Sequence, residues 1–215
     1  MTATILSTEI DGWIVRYRIP ERSGLFRVSV LLHGLTGDEK SMWIFASRVP
    51  ADNLVISPRG LYPSPMGGFS WYPPSSRPWP KSEDFRAAIE ALRALLSPRN
   101  FSMGDFSRIT LIGFSQGAAL AYLYALRFPE QVERVIGLAG FLPEDAITLT
   151  DGKPLAGVRA FIAHGNRDTV VPLHMARRTI EVLTQLGARV TYCEENVGHK
   201  LSAGCFRGLQ SFFKA

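Results

Sequence analysis

Arg108-Ile109-Thr110-Leu111-Ile112-Gly113-Phe114-Ser115-Gln116-Gly117-Ala118-Ala119-Leu120-Ala121 is the stretch that decides how this chain reads. Arg108 to Ile112 is a short apolar run with β-branched residues and predicts a buried strand. Ala118 to Leu126 predicts a helix. Between them stands the pentapeptide Gly113-Phe114-Ser115-Gln116-Gly117, of the form G-x-S-x-G. A serine at a strand-to-helix turn is forced into a tight elbow that lifts its hydroxyl for attack. Such backbone leaves no room for a side chain two positions to either side, which calls for the two glycines. The pentapeptide alone is weak evidence; the strand before it and the helix after it give it weight.

The rest of the chain alternates strand-like and helix-like segments. This pattern predicts an α/β fold with a mostly parallel sheet and helices on both faces. Trp13 to Ile19 predicts an edge strand. Val28 to His33 is a continuous apolar run, as a central parallel strand requires. Asn53 to Ser57, Val132 to Ala139, Val158 to Ala163 and Arg189 to Cys193 predict further strands. Ser82 reads as the N-cap of a helix continuing to Leu96, with Glu83 and Asp84 in its first turn and Pro98 beyond its end. Helices are also predicted over Leu173 to Leu186, with Gly187 as the C-terminal glycine, and over about Leu201 to Phe213. No internal repeat or domain boundary is visible, so residues 1–215 read as a single domain.

Two connections bear on access to Ser115. The link from Ala139 to Val158 is too short for a cap domain, which predicts an open site. By contrast, Pro58 to Pro80 is long and irregular and holds seven of the 14 prolines, with Tyr62, Phe69, Trp71, Tyr72 and Trp79. A long segment of this kind in a compact domain is usually functional or disordered, and the aromatics argue against disorder. Following a parallel strand, it belongs at the carboxyl edge of the sheet, where open α/β folds bind ligands. It reads as a wall or flap beside the site.

The chemistry of a serine nucleophile calls for a base within hydrogen-bond reach. Of four histidines, His33 and His164 each end a strand before a glycine and read as structural. His174 falls in the first turn of a helix and reads as solvated. His199, in Val197-Gly198-His199-Lys200 between the last strand and the last helix, reads as the base. The base needs a carboxylate to fix its tautomer. Asp168, in the loop after a strand, is favoured. Asp145 and Asp151 compete for the role, and Glu195 lies nearer His199 in sequence. A tetrahedral oxyanion needs two N–H donors. Gln116, following the nucleophile, supplies one, and Leu35, in the turn His33-Gly34-Leu35-Thr36-Gly37, supplies the other.

These pieces make the chain resemble the phospholipase/carboxylesterase family of α/β-hydrolases, which includes the acyl-protein thioesterases. The resemblance rests on LHGLTGD at Leu32–Asp38, GGFSWY at Gly67–Tyr72, GFSQGAALA at Gly113–Ala121, AGFLP at Ala139–Pro143, HGNRDTVVP at His164–Pro172 and GHKLS at Gly198–Ser202. It implies an α/β-hydrolase fold without a cap domain, a catalytic triad of Ser115, Asp168 and His199, and an oxyanion hole of Leu35 and Gln116. It further implies an acyl pocket involving Trp71, Leu142 and Val171. Met42, Trp43, Met66 and Trp79 are either core or the lining of an apolar groove. Where the family commonly has H-G-x-G-D, Thr36 takes the second glycine's place. Ala139 opens the block that begins with serine elsewhere, and Tyr72-Pro73-Pro74 lacks the usual acidic residue.

The function implied is hydrolysis of carboxylic esters of short- to medium-chain acyl groups through an acyl-enzyme. Thioesters and lysophospholipids are chemically possible alternatives, and a non-catalytic hydrolase-like binding protein is the rival from another class. The partner expected is a small-molecule ester or thioester, with no cofactor and no metal. The resemblance leaves a homodimer open. The net charge of +5 comes without any run of five basic residues and reads as a solvated surface, not a nucleic-acid site. Cys193 and Cys205 are too few for a disulfide scaffold and read as free thiols in a reducing compartment. Met1 to Ile10 lacks the basic-then-apolar pattern of a secretory leader, and no apolar run approaches the ~20 residues of a membrane span. A soluble cytoplasmic protein without membrane insertion is the expectation.

Overall fold

Apolar residues that alternate along a strand between two packed faces are the sign of a sheet covered on both sides, and this chain folds that way. The computed structural model describes residues 4–149 and 152–214. An eight-stranded sheet contains β1 (Thr4–Ile10), β2 (Trp13–Ile19), β3 (Phe26–Leu32), β4 (Leu54–Pro58), β7 (Gly104–Phe114), β8 (Val132–Leu138), β9 (Arg159–Gly165) and β10 (Arg189–Glu195). Between them in sequence, β5 (Tyr62–Pro63) and β6 (Phe69–Ser70) form a small separate hairpin. The spatial order is β1-β2-β4-β3-β7-β8-β9-β10, antiparallel across β1/β2 and β2/β4 and parallel from there on.

Successive side chains of the central strands divide between two apolar clusters. Val30 and Leu32 lie in one and Leu31 in the other; likewise Leu111 against Ile112, and Ala160 and Ile162 against Phe161 and Ala163. The larger cluster is covered by α1 (Arg86–Leu95), α2 (Gln116–Arg127) and α3 (Leu173–Gln185), and the smaller by α4 (Ala203–Lys214) together with a 3₁₀ turn at Trp43–Phe45. Helix α2 is buried from Gln116 through Leu126, so the elbow that feeds it is fixed from every side.

Several sequence expectations shift. Trp13–Ile19 is not at the edge, because β1 pairs along its outer side. The β1 side chains are almost all exposed, so no amphipathic pattern marked that strand. Ser82 does not cap a long helix. A 3₁₀ turn at Ser82–Phe85 precedes α1, Ser82 is buried, and both its N–H and its Oγ bond to the Asp145 carboxylate. Among the described residues the link after β8 carries one short 3₁₀ turn at Glu144–Leu149, and there is no cap domain. Gly187 adopts φ +96°, as a C-terminal glycine should. Asp151 lies outside the described residues, as do the first three residues of the Met1–Ile10 segment.

Cys193 and Cys205 are not free thiols. They form a disulfide joining β10 to α4. Each side chain leaves its own element toward the same interface, a juxtaposition that the spacing of two cysteines does not reveal. Disulfides persist mainly in oxidising compartments, so the bond removes the support that free thiols gave to a cytoplasmic setting. Among the described residues no helix is long and apolar enough to cross a membrane.

Candidate active site

The residues singled out from the sequence gather at the carboxyl edge of the sheet. Ser115 follows β7, Leu35 follows β3, Asp168 follows β9, and His199 follows β10. The connection after β4 brings Trp71 to the same edge.

Ser115 has φ +51° and ψ −114°, in a region that side-chain-bearing residues rarely occupy. Such backbone costs on the order of 1–3 kcal/mol and persists only where surrounding structure enforces it. Here the Ser115 N–H donates to Leu138 O at 2.9 Å, and its carbonyl accepts from Ala118 N–H at 3.0 Å. Both glycines of the pentapeptide are sterically required. A Cβ on Gly113 would stand 2.2 Å from Gly117 O, and one on Gly117 would stand 2.2 Å from Leu32 O.

Asp168 and His199 are joined. His199 Nδ1–H donates to Asp168 Oδ2 at 2.7 Å, which leaves Nε2 as the acceptor a general base needs. The other carboxylate oxygen accepts the N–H groups of Val170 and Val171, each at 2.9 Å. The Asp168 side chain is fully buried, while that of His199 is about one-fifth exposed. Gly165 allows the two loops to meet, since a Cβ there would lie 2.2 Å from Val197 O. Arg167 N–H to Val197 O and Asn166 N–H to Glu195 O fasten them. The Phe114 and His199 rings pack with centroids 4.9 Å apart, which places His199 beside the elbow. Ser115 Oγ and His199 form no hydrogen bond among the described residues; such contacts often tighten only in the substrate complex. Asp145, a competing acid, accepts from Ser82, and Glu195 packs against Gly204.

The two proposed oxyanion donors are free to act. Gln116 opens α2, where an N–H has no intrahelical acceptor. Leu35 N–H likewise has no acceptor among the described residues, although its neighbours Thr36 and Gly37 donate to Phe69 O and Gly34 O. Thr36, in the place of the family's second glycine, takes φ +67°.

The Pro58–Pro80 segment is anchored on the Leu35-bearing loop and on the elbow. Trp71 N–H donates to Gln116 Oε1 at 2.9 Å, Gln116 Nε2–H to Ser70 Oγ at 3.0 Å, and Trp71 Nε1–H to His33 O at 2.8 Å. His33 is structural, as expected. Its Nδ1–H donates to Gly34 O and its Nε2 accepts Gly60 N–H. Burial holds its imidazole below the usual histidine range, against the opposing bond to Gly34, which keeps it neutral. His164 is structural too, buried with Nε2–H on Val171 O at 2.8 Å. His174 lies in the first turn of α3, partly buried. Sequence reasoning missed the Gln116 side chain and His33 as anchors.

The three residues expected in an acyl pocket are not open to solvent. Trp71, Leu142 and Val171 are all buried and belong to the core cluster below the site. Trp71 and Val171 serve through main-chain bonds to Gln116 and Asp168, and Leu142 N–H binds Thr179 Oγ1. An open apolar surface adjoins Leu35. It is a groove of about 840 Å³ walled by Leu35, Met42, Ile44, Phe45, Phe114 and Phe206. Met42 belongs to it, whereas Trp43 lies under the Arg16 guanidinium, Trp79 packs on Phe141, and Met66 is exposed.

Comparison with known proteins agrees with this geometry. Residues 23–215 match the family model described as Phospholipase/Carboxylesterase. Acyl-protein thioesterase 1 of Eremothecium gossypii is 25% identical over 203 residues, covering 86% of each chain. The fold is shared with a carboxylesterase of Bacillus cereus (TM-score 0.84, 22% identity, 95% of this chain and 94% of that one). A carboxylesterase of Mesorhizobium loti also superimposes (TM-score 0.83, 21% identity, 97% and 99%). With an eight-stranded, mostly parallel sheet, no cap domain and a serine elbow at its carboxyl edge, the chain belongs to the phospholipase/carboxylesterase family of α/β-hydrolases.

Proposed function

We propose that the protein is a serine esterase that hydrolyses carboxylic esters of short- to medium-chain acyl groups through a covalent acyl-enzyme. The observation that carries this reading is the Asp168–His199 pair at 2.7 Å, set beside a serine held at φ +51°. Ser115 Oγ attacks the ester carbonyl as His199 Nε2 takes its proton. The Leu35 and Gln116 N–H groups hold the oxyanion, and Asp168 stabilises the imidazolium. The intermediate collapses, the C–O bond breaks, and the imidazolium protonates the departing alcohol. Water, deprotonated by His199, then cleaves the acyl-enzyme and restores Ser115. Every proton is returned, and the scheme calls on no metal or cofactor.

Thioesters form the second reading. It is favoured by curated relatives that bear the name acyl-protein thioesterase 1, and the same groups would expel a thiol more readily than an alcohol.

The test is a fluorophosphonate probe with mass-spectrometric mapping, followed by turnover of p-nitrophenyl butyrate and its thioester analogue. Labelling of Ser115 and loss of ester turnover on the order of 10⁶-fold in Ser115→Ala are expected. Folded protein that resists the probe, or a Ser115→Ala variant with near-normal turnover, would sink the reading and favour a binding protein.

A further inference from the structure

We infer that the groove beside Leu35 takes the apolar chain of an ester whose far end carries an anion, so that the substrate class is anionic amphiphilic esters. This rests on the esterase reading and goes beyond it by assigning a second recognition element.

The groove begins at the reaction centre. Gly34, Leu35 and Phe114 line it; Leu35 bears the free oxyanion N–H, and Phe114 precedes Ser115 and packs on His199. A chain leaving the bound carbonyl on this side enters the groove directly. Its walls are apolar, with Met42 and Phe45 from the segment after β3 and Phe206 from α4. Ile44 is 71% exposed and Leu35 42% exposed, apolar surface that a bound chain would cover.

Its rim is cationic. Lys200 follows the base directly, and Arg207 stands on α4 at helical spacing from Ala203, so that Ala203, Phe206 and Arg207 present one face to the groove. Arg48 lies over the Phe206 ring, 4.5 Å from its centroid. Among the described residues, none of these three cations has a carboxylate partner within ion-pair distance, whereas eight other arginines and lysines do. The nearest acid in the loop, Asp38, is occupied by Ser41 Oγ–H and the N–H groups of Lys40 and Ser41. The groove thus offers apolar cover with uncompensated positive charge at its margin, which complements a chain ending in carboxylate or phosphate.

The experiment compares matched esters on the full-length protein. Mono-p-nitrophenyl adipate is set against p-nitrophenyl hexanoate, which has the same carbon count with a methyl in place of the carboxylate. The alcohol side is probed in parallel with 5-carboxypentyl butyrate against hexyl butyrate, followed by proton release. On at least one side the anionic member should have the lower KM, by about two- to fivefold, the range that partly screened charge contacts supply. The advantage should shrink as NaCl rises from 20 to 300 mM. Within Arg207→Gln and within Lys200→Gln the anionic-to-neutral ratio of kcat/KM should fall. Because each ratio is internal to one variant, a change in folding or in the base cancels. Turnover of both members with a ratio at or below one on both sides would overturn the inference and leave the esterase reading standing. A ratio above one that neither substitution nor salt alters would also overturn it. Turnover of neither member would overturn the esterase reading itself.

Discussion

Breaking the Cys193–Cys205 bond should cost stability far more than it costs catalysis. The bond closes a ring with a sequence separation of 12 residues, and His199 lies inside it. In the chain-entropy treatment, a ring of that size restricts the unfolded state by about 3 kcal/mol at 25 °C. The native site is tied down by other means. Asn166 N–H on Glu195 O, Arg167 N–H on Val197 O and His199 on Asp168 involve neither cysteine. The perturbation is reduction by a phosphine, which turns the disulfide into two thiols with their volume kept, alongside a Cys193→Ser/Cys205→Ser double variant. Urea unfolding should show the midpoint falling by roughly 1–3 M for typical slopes. Initial ester turnover at 25 °C should change less than about threefold. A stability loss below about 1 kcal/mol would refute the ring-closure argument. A collapse of turnover in protein that remains folded would refute the claim that the β9–β10 loop contacts suffice to hold His199.

Two further substitutions test the site's frame. Asp168→Asn should leave the thermal midpoint within a few degrees but lower kcat by about 10⁴, because the amide stabilises the wrong imidazole tautomer; Asp145→Asn having that effect instead would identify the wrong acid. Gly117→Ala places a methyl 2.2 Å from Leu32 O on rigid backbone, so it should destabilise by more than about 3 kcal/mol or prevent folding, and an unchanged urea midpoint would show that the elbow has slack.

What could be read from the sequence was the part whose chemistry fixes residue types at fixed places. Ser115 needs glycines on both sides, and a base and an acid must follow strands to reach the same sheet edge. Those demands leave local marks: apolar runs, then short loops holding His199 and Asp168. What could not be read depends on contacts between distant segments. The wall is held by Gln116 to Trp71, 45 residues apart in sequence, and no local pattern records that. The burial of Trp71, Leu142 and Val171 has the same origin, because an aromatic or aliphatic side chain near an active-site motif packs inward as readily as it lines a pocket. The exposed β1 strand lacks a buried face, so periodicity was silent there.

The identity of residue 116 follows from this division. An oxyanion donor needs only a backbone N–H, which any residue after Ser115 provides. Gln116 is nonetheless buried, with its side-chain oxygen on Trp71 N–H and its side-chain nitrogen on Ser70 Oγ. One residue therefore couples the Ser115 elbow to the Ser70–Trp71 segment, and His33 couples that segment to the loop that carries Leu35. These bonds make the elbow, the Leu35-bearing loop and the Ser70–Trp71 segment a single braced unit. A braced surface of that kind has little room to adapt to different chains. The groove beside Leu35 has exposed apolar residues and, among the described residues, cations without a carboxylate partner, so substrate discrimination should be sought between Leu35 and α4.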